Sequence, residues 1–143
     1  MSDQNFKNHT RLVPMYHGLA FLLIFAGLIG SVINLLDHNT PGNHYSAALL
    51  VVVFVVLLLI FWYARAFALK AQDRAIRAEE NFRHFILTGK PLDKGLRLGQ
   101  IIGLRFASDE EFPELAKRAL QENLSQKEIK MSVKNWRADY HRV

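Results

Sequence analysis

The 143-residue chain has no cysteine. Disulfides, thiol nucleophiles and thiolate-held metals are therefore excluded. Ionisable residues are missing from two stretches, Leu19 to Leu36 and Ala47 to Tyr63, each about 18 residues long. With no Asp, Glu, Lys, Arg or His inside them, a proton or ion path within one copy has nothing to run on. Helix breakers are absent from Ser46 to Leu87, a run without a single proline or glycine. No alternating strand pattern, Walker-type loop, catalytic serine setting or pair of buried carboxylates can be traced.

What is present is divided sharply. As a helix, each uncharged stretch covers roughly the 30 Å hydrocarbon core of a bilayer. Between them lies the short polar segment Asp37-His38-Asn39-Thr40-Pro41-Gly42-Asn43-His44-Tyr45. This pattern predicts a membrane helical hairpin in residues 1–63, with spans at about 15–36 and 46–63. Residues 64–143 hold 16 basic against 11 acidic residues, so the whole net charge of +5 sits there. The first span is longer than a signal h-region, and no small-x-small cleavage pattern follows Leu36, so it is expected to stay uncleaved. Lys7 and Arg11 precede it, the connecting loop has no Lys or Arg, and Arg65, Lys70, Arg74, Arg77 and Arg83 follow the second span. By the positive-inside rule both termini are expected in the cytoplasm, with the loop outside.

The second span should not stop at the membrane. Strong helix formers continue to Leu87, where Thr88-Gly89-Lys90-Pro91 supplies a glycine C-cap and then proline. One helix from Ser46 to Leu87 would be roughly 63 Å long at 1.5 Å per residue. Beyond the bilayer Ala64, Ala68, Ala71, Ala75, Ala78, Phe82 and Phe85 are spaced 4, 3, 4, 3, 4, 3. That 3.5-residue seam is the spacing of a left-handed supercoil. It could cover the chain's own later helices or meet another copy. In the first span Gly27, Gly30 and Ser31 make small-xxx-small pairs with their neighbours, and Asn34 lies one heptad beyond Gly27. They could pack against the second span or between protomers. A pore between copies, lined by Asn34 or Ser31, is a further alternative.

Shorter helices are expected after Pro91, at about 96–106, 109–123 and 126–141. Gly95, Gly99 and Gly103 form a stripe in the first of these, suggesting close backbone approach. Ser108…Glu111 and Ser125…Glu128 have capping-box spacing. The last helix would align Ile129, Val133, Trp136 and Tyr140, with Lys127, Lys130, Lys134 and Arg137 around them. The expected fold class is all-α.

Several longer phrases carry a resemblance: Gln4-Asn-Phe-Lys-Asn-His-Thr-Arg11, Lys70-Ala-Gln-Asp-Arg-Ala-Ile-Arg-Ala-Glu-Glu-Asn81, Leu87-Thr-Gly-Lys-Pro-Leu92, Ile102-Gly-Leu-Arg-Phe-Ala-Ser-Asp-Glu-Glu-Phe-Pro-Glu114 and Asn135-Trp-Arg-Ala-Asp-Tyr140. They resemble an uncharacterised family of small bacterial membrane proteins, catalogued as a domain of unknown function. The resemblance implies a bacterial two-span membrane protein and carries no activity or functional residue with it.

Candidates for chemistry are few. Glu80 and His84 lie one helical turn apart, a spacing usable by a metal or general base, but no further ligand accompanies them. His38 and His44 share the polar loop, and His17 lies at the edge of the first span. No enzymatic activity, cofactor or metal is expected. The tail's charge is mixed along its helices, and juxtamembrane cations are already explained by topology and anionic lipid, so no nucleic-acid partner is expected. The leading expectation is a structural, self-associating scaffold of the bacterial inner membrane, a homo-oligomer using the seam and the Gly27, Gly30 and Ser31 face. The alternative is an adaptor whose Lys130, Lys134, Trp136, Arg137 and Tyr140 recruit a cytoplasmic protein or anionic lipid. A small enzyme, channel or transporter subunit ranks last.

Overall fold

The protein is described here from a computed structural model, which covers residues 4–37 and 42–140. Expectations that fall on His38, Asn39, Thr40 and Pro41 lie outside the described residues. Every regular element is helical: a π-helical lead-in Pro14–Ala20 runs into α1 (Phe21–Leu36), followed by α2 (His44–Thr88), α3 (Leu98–Leu104), α4 (Phe112–Gln121) and α5 (Gln126–Ser132). The chain forms two compact units, residues 12–68 and residues 1–11 with 69–143. The division at residue 63 expected from composition is thus displaced by a few residues. More important, the N-terminal segment belongs with the C-terminal unit.

Residues 12–68 form the hairpin. Pro14–Leu36 and α2 are both long and apolar enough to cross a membrane, and only 6% of each apolar window is buried. A soluble core helix would be mostly covered, so this exposure is compatible with a membrane protein. The hairpin closes through specific contacts. Tyr16 stacks on Phe61 with ring centroids 4.3 Å apart, and its hydroxyl donates to the Phe61 carbonyl. At the other end Asn43 donates to Asn34 Oδ1 at 3.0 Å, and Ala47 is fully buried.

The second unit has a conventional core. Leu104, Phe106, Phe112 and Ile129 are its largest fully buried side chains. α3 packs chiefly on α5 and α4. The glycine stripe allows this: a Cβ at Gly103 would meet the Gln126 carbonyl and Ile129 at 3.2 Å, and one at Gly95 would meet Leu120 at 2.9 Å. Buried Gln100 donates to the Ala119 and Leu124 carbonyls at 2.9 and 3.0 Å, tying α3 to the end of α4. The Ser125–Glu128 capping box forms, with the Ser125 amide 2.7 Å from the Glu128 carboxylate. At Ser108 the box is only half made. Glu111 accepts from the Ser108 amide, but the helix starts at Phe112.

The last element differs from the expected helix over 126–141. α5 ends at Ser132, and Val133 is extended. The Lys134 and Asn135 amides donate to the Glu111 carboxylate at 3.1 Å, and Trp136 makes an antiparallel bridge with Ala107. Ile129, Val133, Trp136 and Tyr140 have helical spacing, yet tertiary contacts override it. Trp136 stacks on Phe106 at 4.5 Å, a contact unavailable to a continued helix.

Candidate functional site

α2 shows two opposed faces in the second unit. Ile76 and Glu80 are both 6% exposed, and Arg83 lies half-buried beside them. This face packs on the unit's own core. Arg83 is held by Glu80 at 3.0 Å, Asp109 at 2.7 Å and the Ala107 carbonyl at 2.7 Å, and its guanidinium lies over the Phe112 ring. Burial pushes the Glu80 carboxyl above the usual glutamate range, opposed by the hydrogen bond and charge of Arg83 and by the charge of Arg137.

The seam lies on the other side, roughly 150° round at about 100° per residue. Ala71, Ala75 and Ala78 are exposed, and so are Phe82 (65%) and Phe85 (49%). Ile86, 65% exposed, adds to the same face. Nearer the span Ala64 is exposed and Ala68 half-buried. Of the two uses left open for the seam, covering the chain's own later helices is therefore not the one taken. The chain's later residues instead meet α2 at Glu80 and Arg83, through Asp109, the Ala107 carbonyl, Phe112 and Arg137, a position that apolar spacing alone conceals because Glu80 and Arg83 are charged.

The small-residue face of α1 divides. Gly27 packs on Phe54, whose ring occupies the place a Cβ would take, and Ser31 is buried with its hydroxyl donating to the Leu28 carbonyl at 2.8 Å. With Asn34 bound to Asn43, these residues serve the hairpin itself. Gly30 is exposed with nothing within 4 Å of a Cβ, so it does not share their surface.

The residues expected to make an adaptor stripe are likewise dispersed. Trp136 and Lys130 face inward, Trp136 on Phe106 and His9, and Lys130 Nζ 3.0 Å from His9 Nε2 and over the Phe106 ring. Lys134, Arg137 and Tyr140 remain exposed, Arg137 reaching to 3.8 Å from Glu80. Sequence reasoning overlooked the N-terminal strap that organises this end. Gln4 pairs with both backbone groups of Asp139, donating at 3.1 Å and accepting at 2.8 Å, and Arg11 donates to the Tyr140 carbonyl at 3.2 Å. The eight residues from Gln4 to Arg11, polar but for Phe6, show no periodicity, and the available signal was only that they form one of the resembling phrases.

Glu80 and His84 are engaged separately. His84 Nδ1 donates to the Lys90 carbonyl at 2.7 Å, while Glu80 holds Arg83. Among the described residues no cluster of three or more His, Asp or Glu is positioned to hold a metal.

The family model of DUF6526, a family of unknown function, matches residues 1–143. The chain belongs to this family. No curated protein and no solved structure matches it. Membership of DUF6526 agrees with the resemblance to an uncharacterised family and brings no reaction with it.

Proposed function

We propose that the protein is a non-enzymatic membrane scaffold that self-associates through the outward seam of α2. The observation that supports this reading is that Ala71, Ala75, Ala78, Phe82 and Phe85 keep a heptad register while standing exposed, opposite the Glu80 and Arg83 face that meets the chain's own later residues. The fitting occupant is the same seam of a second copy, because a 3.5-residue repeat is complemented by another helix of equal period. Alanine allows close approach but contributes little buried area, so Phe82, Phe85 and Ile86 carry most of the apolar gain. Placement in the bacterial inner membrane with both termini cytoplasmic is part of the same proposal. The basic residues flanking the spans support that orientation, and the pairing of Gln4 with Asp139 is consistent with both ends lying on one side.

The test is the mass of the full protein in lipid nanodiscs. Wild type is expected to exceed the monomer, and Ala71→Leu with Ala78→Leu to change the assembly size through steric crowding at the seam. Monomer mass for both would overturn the reading. Lys134, Arg137 and Tyr140 remain exposed for the adaptor alternative, which capture of a soluble partner by the reconstituted protein, lost on their replacement, would favour.

A further inference from the structure

We propose that the second unit carries a binding site for a multiply charged phosphoryl group, in the groove between α2 and the loop that follows it. This goes beyond the self-association reading, and the two share Ala78, a seam residue that also lines the groove. The groove encloses about 830 Å³ and brings together Arg74, Arg77, Lys90 and Lys94, with Asp93 as its single carboxylate. The lining therefore has four cationic groups against one anionic, a net +3.

None of the four cationic side chains has an ion-pair or hydrogen-bond partner among the described residues, in contrast to Arg83, Arg105 and Arg118. Asp93 is already used, accepting from the Gly95 amide at 2.8 Å. Like charges gathered in a concavity repel one another, and an anion bound there relieves that repulsion while the low-dielectric walls focus its field.

The groove is also held in shape. Gly89, at φ +72°, ends α2 in a left-handed cap, with its amide donating to the Phe85 carbonyl at 2.8 Å. His84 then fixes the Lys90 carbonyl at 2.7 Å, and Asn81 Oδ1 accepts from the Leu92 amide at 2.9 Å. With its oxygen committed to Leu92, Asn81 has its amide N–H donors left over at the groove wall. Arginine forks, ammonium groups and an oriented amide donor form a set that matches phosphate oxygens. A lipid headgroup and a soluble organic phosphate present the same chemistry.

The experiment uses the full chain in phosphatidylcholine nanodiscs and two probes. Inorganic pyrophosphate is titrated by calorimetry for the soluble source. Retention of phosphatidic acid, whose phosphomonoester can carry two charges, is counted by native mass spectrometry from mixed nanodiscs for the lipid source. At least one probe is expected to bind saturably and to weaken tenfold or more in Arg74→Gln/Arg77→Gln and in Lys90→Gln/Lys94→Gln. Lys127→Gln/Lys134→Gln, at residues that line neither the groove nor the cavity next to it, is expected to bind as wild type does. Asn81→Asp keeps the bond to Leu92 while replacing the free donors with negative charge, and is expected to weaken binding at least as much without unfolding the unit. The responding probe identifies the source. Absence of binding by both probes, or equal weakening in groove and control variants, would overturn the proposal.

Discussion

The two units of this protein solve opposite packing problems with the same helix. In residues 12–68 the apolar side chains of α2 point outward, and the hairpin is secured by a few close contacts: Gly27 on Phe54, Tyr16 on Phe61, Asn34 with Asn43. In the second unit α2 presents a charged face inward. Glu80 and Arg83 meet Asp109, the Ala107 carbonyl, Arg137 and the Phe112 ring, at the edge of a core that also holds Leu104 and Ile129. The difference matches what an apolar and an aqueous solvent would each demand. Where the surroundings are as apolar as leucine, association depends on close fit and polar contacts. Where the surroundings are water, burial of apolar area dominates and even a buried carboxylate is tolerated if it is paired.

Substitutions can break this contrast. The largest effect is expected from Phe106→Ala, which removes a fully buried ring stacked on Trp136 and should cost about 3–5 kcal/mol. In a Trp62→Phe background, denaturant unfolding followed by Trp136 fluorescence should shift markedly, while helicity of the spans persists. Gly27→Ala comes next. Its methyl group enters the Phe54 ring, and overpacking of this kind costs about 1–3 kcal/mol. Gly30→Ala, in open space, should leave thermal melting in detergent unchanged, which separates the two glycines of one small-residue stripe. Gln4→Ala removes two hydrogen bonds to Asp139 and should cost roughly 1–3 kcal/mol. Faster hydrogen exchange at the Asp139 amide, with the α3 amides unaffected, would be the signature.

The subtlest expectation concerns pH. Because burial raises the Glu80 carboxyl above 4.5, the folded unit holds that proton more readily than the unfolded chain does. Its contribution to stability is fully present below the unfolded value and is lost as pH rises through the raised folded value. Glu80→Gln should flatten that decline. Hydrogen exchange of the α4 amides across the acid range, compared between wild type and variant, checks it; an unchanged slope would refute the assignment.

Much of this architecture was legible in the sequence because it rests on local rules. The uncharged runs, the unbroken stretch to Leu87, the Gly89 stop and the Ser125–Glu128 box each name their structure within a few residues. The glycine stripe at Gly95, Gly99 and Gly103 announced a close approach but not its partner, α5 for Gly99 and Gly103 and Leu120 for Gly95. What escaped was non-local. Trp136 has helical spacing from Ile129, and only its stack on Phe106 and the grip of Glu111 on Lys134 and Asn135 explain why α5 stops. The docked face of α2 escaped because its residues are charged in sequence and paired in space. The groove beside Asn81 depends on how the chain turns after Gly89, which composition does not encode.

The grip of Gln4 on Asp139 joins residues 135 positions apart. During synthesis both apolar helices leave the ribosome well before the far partner of that grip exists. Closure of the second unit therefore comes last in maturation. Until that closing step the strap stays undocked, and Phe106 lacks the cover of His9 and Trp136.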